Sequence, residues 1–253
     1  MSFDYEAEPK ERIGSCNLCG SSDFVRAPGL DRYGYTATAD QCMSCGLVFL
    51  NPRMTREGYA QFYANGYRPL LSTYYGRVIN EQTIQDEQRR YGEELARWLV
   101  PHTPVAASLL DVGGSTGVVA RCLIAHGPAR YATVLDPAPA ELAVAAGSGI
   151  GAIPGFIEDC DPRGRRWGLV TMCQTIDHLL DVAAALGKIR ECLAIDGRFF
   201  VDIVDHGRVG TLKIDHPFYL TPRTMGRYLR RAGFAVMAAE RAPDDLHVRF
   251  VCR

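Results

Sequence analysis

Three groups of residues in this chain have types and spacings that could do chemistry. The first is four cysteines in two Cys-x-x-Cys pairs, Cys16/Cys19 and Cys42/Cys45, separated by 22 residues. Four thiolates in paired spacing suit a tetrahedral zinc ion with no open position, which holds a fold together and does not catalyse. Two disulfides or four ordinary cysteines are the alternatives. A glycine follows each pair (Gly20 and Gly46), where a backbone of positive φ lets amides point at the sulfurs. The second group is Asp111-Val112-Gly113-Gly114-Ser115-Thr116-Gly117, a glycine turn where an apolar strand meets a helix. Glycines there let the backbone approach a ligand, and the helix N-terminus offers free amides. Asp136, 19 residues after Gly117, ends the next strand, where a carboxylate can take both hydroxyls of a ribose. A tight turn with no ligand is the competing reading. The G-x-G-x-x-G fingerprint fails at Ser115 and Val118, and no Gly-Lys-[Ser/Thr] run is present. The third group is a set of acid–histidine neighbours, Asp177-His178, Asp205-His206 and Asp215-His216. An imidazole with an ordinary pKa of about 6.5 suits a base at neutral pH.

The elements that must position these groups follow from pattern. After the cysteines, Gly46–Arg53 reads as an apolar strand stopped by Asn51-Pro52. Thr55 caps a short helix with Tyr59, Phe62 and Tyr63 on one face. Residues 66–76 are aromatic and broken by Gly and Pro, which reads as a linker or lid, and residues 79–99 as a helix. Beyond Val105 strands alternate with helices. Strands fall at 108–114, 131–136, around 153–157, at 167–173 and 198–204, with two more in FAVMAA and LHVRFVC. Helices fall at 116–125, after Pro137, at 182–193 and from Thr221-Pro222 to Gly233. Alternation of this kind implies a doubly wound α/β sheet, its last strands antiparallel.

Composition narrows the class. The 253 residues are 47% hydrophobic and 23% charged, with a formal net charge of −1, as in an ordinary globular protein. So small a charge opposes a nucleic-acid binder. No apolar run reaches about 18 residues, so no membrane span is expected, and the polar start is unlike a signal peptide. The remaining cysteines are scattered, which implies a reducing, cytoplasmic setting.

A strand ending in Asp111-x-Gly113 and followed by the acid Asp136 resembles the class I S-adenosylmethionine-dependent methyltransferases over residues 105–253. The resemblance implies a Rossmann-like, seven-stranded sheet. It also implies that Asp111, Gly113, Gly114, Ser115, Gly117 and Gln174 shape the cofactor pocket, with Asp136 on the ribose and Glu158-Asp159 beside the adenine. Ser115 stands where a glycine is more usual. The cysteine pairs followed by Gly46-Leu47-Val48-Phe49-Leu50-Asn51-Pro52-Arg53 are similar to zinc-ribbon-bearing methyltransferases, which include enzymes that methylate nucleotide-linked sugars and glycosides. Together these imply a zinc-binding module at 1–65, a linker and helical cover at 66–104 and a cofactor-binding domain at 105–253.

Methyl transfer from a sulfonium needs alignment and a base. In the related sugar C-methyltransferases an acid–His pair after the fourth strand looks catalytic. His178 is therefore the first candidate base, with Asp177 orienting it or binding the acceptor; a histidine that only packs or caps is the alternative. His216 is a second base or an acceptor clamp, or else a loop histidine bonded to backbone. Asp205-His206 reads as a solvated turn or as lining of the acceptor pocket, and His102, His126 and His247 as surface or packing residues. Tyr67, Tyr74 and Tyr75 read as interdomain packing or as a cover for the cofactor. Arg163, Arg165 and Arg166 read as a solvated loop. The reading that results is methylation of a small polar acceptor, a nucleotide sugar or glycoside, with the cysteine module as one wall of the acceptor cleft. Oxygen is favoured over carbon because the chain is shorter than sugar C-methyltransferases that carry a further C-terminal domain. The alternatives are an RNA base methyltransferase, or a module that binds the cofactor without turnover.

Overall fold

The computed structural model describes residues 3–103, 108–162 and 164–253. Arg163 and the expected boundary between residues 104 and 105 lie outside them. The sheet that dominates the chain has seven strands. Five run parallel, β6 (Leu109–Val112), β7 (Ala132–Asp136), β8 (Gly151–Pro154), β9 (Trp167–Met172) and β10 (Leu193–Val204). The last strand, β13 (His247–Cys252), lies antiparallel between β10 and β12 (Val236–Arg241). The order β12-β13-β10-β9-β6-β7-β8 reverses between β6 and β9, and in such sheets the crevice at that reversal receives the ligand. Helices α4 (Val118–His126), α5 (Pro139–Gly147), α6 (Val182–Cys192) and α7 (Pro222–Arg231) connect the strands. The strong helix start at Thr221-Pro222 is observed: Thr221 accepts from the Thr224 amide, and Thr224 returns a bond to the Thr221 amide. The third parallel strand stops at Pro154, short of the expected 157, because Ile157–Asp159 turns into a 3₁₀ segment.

The front of the chain forms a second sheet from β2 (Phe24–Leu30), β3 (Thr36–Cys42) and β4 (Val48–Leu50), beside a small ladder of β1 (Lys10–Glu11) with β5 (Arg53–Met54). Its fourth strand comes from far along the chain. β11 (Phe218–Tyr219) pairs antiparallel with β4, Phe218 opposite Phe49 and Tyr219 opposite Val48. The cysteine module and the main sheet also share one apolar core, in which Cys16, Leu18, Leu47 and Phe49 join Val112, Met172 and Leu186. Asn17, inside the first cysteine pair, donates to Asp181 at the start of α6 and accepts from the Tyr228 hydroxyl on α7, both at 2.8 Å.

Within residues 66–76, expected as a linker or lid, 67–75 are helical. A helix α1 (Arg56–Gln61) runs through a π-helical turn at Phe62–Gly66 into α2 (Tyr67–Tyr75). Pro69 falls in the first turn of α2, where a missing N–H costs little. Gly66 is small because it is packed, since a Cβ there would sit 2.7 Å from the Phe3 ring. Helix α3 (Glu81–Leu99), capped by Asn80, then crosses α4 closely. Gly92 allows this approach, its would-be Cβ lying 3.0 Å from that of Cys122. Among the described residues no helix is long and apolar enough to cross a membrane.

Two outcomes follow from this packing. Phe49 is 1% exposed and meets the Phe24 ring edge-on at 5.2 Å. Phe49→Ala should cost roughly 3–5 kcal/mol, and because the core is shared, urea unfolding should show one destabilised transition for both sheets. Asp111 lies in the doubly covered strand β6 at 0% exposure. Its Oδ1 accepts from the Thr171 hydroxyl at 2.7 Å, while its Oδ2 has no partner. Burial pushes its carboxyl up to about 7. The folded state therefore holds this proton more tightly than the unfolded chain between about pH 4 and 7, and stability falls as pH rises across that window. Asp111→Asn should remove the slope and be the more stable form above pH 7, by on the order of 2–4 kcal/mol. Denaturant unfolding of the ligand-free chain at several pH values measures it.

Candidate active site

The glycine turn opens at the C-terminal end of β6. Gly113 (φ +70°) and Gly117 (φ +73°) hold left-handed backbone, which costs glycine little. A Cβ on Gly113 would collide with Thr175, and one on Gly114 would lie 2.6 Å from Asp111 Oδ2. Ser115 also has positive φ, at 52°. Its amide donates to Asp136 Oδ2 at 3.0 Å and its hydroxyl to Glu141, which is ion-paired with Arg68 from α2. The serine at the usual glycine position therefore points away, into a chain of contacts running from Asp136 to the helical cover. Asp136 Oδ1 accepts from the Ala138 amide at 2.8 Å. Burial raises its carboxyl to about 6.

A cavity of about 790 Å³ extends from this turn to the loops after β9 and β10. That size suits a cofactor together with a small substrate. Asp111, Gly113, Gly114, Ser115, Asp136 and Gln174 line it. Gly117 instead caps α4. Glu158 and Asp159 are not among its lining residues, which at this edge are Gly155, Phe156 and Ile157. The 3₁₀ turn is the reason: Asp159 pairs with Arg56, and Glu158 is half-buried with Oε2 unpartnered. Tyr67 and Tyr75 line the cavity and Tyr74 packs outside it on Tyr33. His247, expected at the surface or in packing, lines the cavity too.

At the far end His178, Asp177, His216, Asp215 and Lys213 converge. His178 Nδ1 lies 2.9 Å from both the Tyr63 hydroxyl and the Asp215 carbonyl oxygen. Asp177, expected to orient His178, faces His216 instead, its Oδ2 2.8 Å from that residue's Nδ1. The 3₁₀ turn Ile176–His178 explains the change, because adjacent residues on so tight a turn project apart. Burial opposes ionisation of Asp177, yet the surrounding His216, His206 and His178 imidazoles hold its carboxyl well below the usual range. Burial pushes the His216 imidazole down to about 4. Lys213 Nζ lies 3.3 Å from His216 Nε2, and burial lowers this amine too. His206, expected in a solvated turn, has a side chain only 5% exposed and faces Asp177 at 3.9 Å. Tyr63, Lys213, Arg68 and Glu141 escaped the sequence reading. Only the run Lys213–His216 carried a signal, as titratable residues crowded before the last predicted helix.

The four cysteines close on one another. Cys16 and Cys45 Sγ are 3.5 Å apart, as are Cys19 and Cys42 Sγ, and all four lie within 4.8 Å. Sulfurs 2.3 Å from a tetrahedral ion would stand about 3.8 Å apart, whereas a disulfide needs about 2.05 Å. All nine cysteines are free. Gly20 and Gly46 both have φ +80°. The Leu18 and Cys19 amides point at the Cys16 sulfur, and those of Ser44 and Cys45 at Cys42. The donor set fits one soft divalent metal.

The model of a methyltransferase domain matches residues 84–239. No curated protein matches the chain significantly. Solved structures similar in fold include an S-adenosylmethionine-dependent methyltransferase from Clostridium acetobutylicum, 11% identical at TM-score 0.54, covering 64% of this chain and 89% of its own. The CcbJ methyltransferase from Streptomyces caelestis is 15% identical at TM-score 0.55, with coverages of 64% and 88%. The glycopeptide N-methyltransferase MtfA, solved with S-adenosylmethionine, is 16% identical at TM-score 0.54, with coverages of 64% and 93%. Matched by that model over more than half its length, and folded as S-adenosylmethionine-dependent methyltransferases are, the chain belongs to the methyltransferase domain family and is an enzyme of methyl transfer.

Proposed function

We propose that this enzyme transfers a methyl group from S-adenosylmethionine to a hydroxyl of a small polar acceptor, a sugar or glycoside, with His178 as general base. The observation that carries the reading is the continuity of one cavity from the Asp111–Asp136 turn to His178. Asp136 would hold the ribose, and Asp111 Oδ2, buried and without a partner, would face the methionine end. Bound there, S-adenosylmethionine supplies an electrophilic methyl on a sulfonium. Tyr63 and the Asp215 carbonyl fix His178 through Nδ1, which leaves Nε2 for the acceptor proton. Asp215 and Lys213 offer charged groups to sugar hydroxyls, and Tyr67 an aromatic face. Asp177 and His216 form the polar floor beneath them. A zinc ion on Cys16, Cys19, Cys42 and Cys45 would be structural, since four thiolates leave it no open position.

His178→Ala should lower turnover by roughly 10²–10⁴-fold while S-adenosylmethionine affinity, read by calorimetry, stays near wild type. The substrates for this comparison come from a cofactor-turnover screen over nucleotide sugars, glycosides and RNA. Unchanged turnover in the variant would remove the base assignment, and turnover on RNA alone would replace the acceptor class. Cys16→Ser should release zinc and loosen the module that carries β4. Because β4 holds β11, acceptor KM should rise while cofactor affinity changes little. Loss of cofactor binding with the main sheet still folded would contradict that division.

A further inference from the structure

The methyl-transfer reading gives no chemical step to the buried cluster around Asp177. Among the described residues ten buried side-chain nitrogen or oxygen atoms lack a hydrogen-bond partner, and five belong to this one place. They are Asp177 Oδ2, His216 Nδ1, both ring nitrogens of His206, and Asp215 Oδ1. The Asp177, His206 and His216 side chains are 3–5% exposed. Polar atoms left without hydrogen bonds at such depth would cost several kcal/mol. The cluster is assembled from three separate segments: the turn after β9, the end of β10 and the loop before β11.

We propose that Asp177, His206 and His216 bind a divalent transition metal at the acceptor end of the cavity, distinct from the four-cysteine site. The donor atoms lie within 4.8 Å of one another. Asp177 Oδ2 is 2.8 Å from His216 Nδ1 and 3.9 Å from His206 Nε2. Ligands about 2.1 Å from one ion stand roughly 3.0–3.4 Å apart, so His206 would close on Asp177 by about half an ångström and on His216 from a separation within 4.8 Å. The 2.8 Å contact is short enough for a hydrogen bond yet lacks the alignment of one, as expected where both atoms aim at a third. Two imidazoles and one carboxylate suit zinc, iron(II), manganese or cobalt, whereas magnesium and calcium prefer oxygen.

The other side of His216 is also occupied. Its Nε2 faces Lys213 at 3.3 Å and Asp215 Oδ2 at 3.6 Å. A lysine donating to Nε2 leaves the ring proton on Nδ1, so a metal bound at Nδ1 would displace that proton. Asp177 and His216 line the cavity while His206 is not among its lining residues, so the open coordination position would face the acceptor. There the ion would polarise the acceptor hydroxyl. Its proton would pass to His178 as the carbon–oxygen bond forms and the carbon–sulfur bond breaks. That role rests on the methyl-transfer reading; occupancy of the site does not.

The test is metal content of the full chain purified from cobalt-supplemented medium. The expected result is about two cobalt ions per chain, one with intense thiolate-to-metal absorption and one with only weak ligand-field bands. His206→Ala should lose the second ion alone, keeping the thiolate band, the circular dichroism spectrum and S-adenosylmethionine affinity. One ion per chain in the wild type, all of it thiolate-bound, would overturn the proposal even if the variant failed to fold. Two ions retained in folded His206→Ala would overturn it as well. A wild-type chain that binds both ions but not S-adenosylmethionine would uphold the metal site and sink the methyl-transfer reading.

Discussion

The His178 end of the cavity depends on the pairing of β11 with β4. Between β10 and α7 the chain leaves the main sheet, lays Phe218 and Tyr219 against the edge of the cysteine module, and returns to the helix at Thr221. Two residues of ladder are little by themselves, so the loop is fastened elsewhere too. Asp31 accepts from the amides of Tyr33, Tyr35 and Ile214, and the Leu50 amide donates to the Pro217 carbonyl. The Tyr219 hydroxyl lies 3.0 Å from both the Lys213 amide and its carbonyl oxygen. These bonds set where the Asp215 carbonyl stands, and that carbonyl sets the ring of His178.

The two ends of the cavity solve the problem of buried charge differently. At the cofactor end Asp111 and Asp136 are pushed upward by burial, and backbone amides or a threonine hydroxyl satisfy part of each carboxylate. At the His178 end the imidazoles around Asp177 hold its carboxyl below the usual range. The first arrangement leaves lone pairs for a ligand's hydroxyls and ammonium. The second surrounds one carboxylate with imidazoles from three segments of the chain.

What could be read in the sequence was local. Cysteine spacing, the glycine turn, the Thr221-Pro222 cap and the strand–helix alternation each depend on residues a few positions apart, and the order of elements follows their patterns, with β8 the strand that ends early. What could not be read was set by tertiary contact. Pro69 and Gly66 look like breaks, yet one sits in a tolerant first turn and the other under the Phe3 ring. Asp177 beside His178 looks like a pair, but the turn separates them and gives Asp177 to a histidine from another loop. Tyr63 reaches His178 only because the π turn and the β11 loop bring them together. Glu158 and Asp159 occupy the expected sequence position, yet Asp159 is drawn outward to Arg56.

The shared ladder also bears on how such an enzyme could be recombined. β4 has β3 on one side and β11 on the other. A cysteine module moved alone to another methyltransferase would carry an unsatisfied strand edge, open to pairing with other chains. The 205–221 loop moved alone would lose the surface that gives it shape. The two distant stretches of one gene are therefore a matched set, exchanged together or not at all.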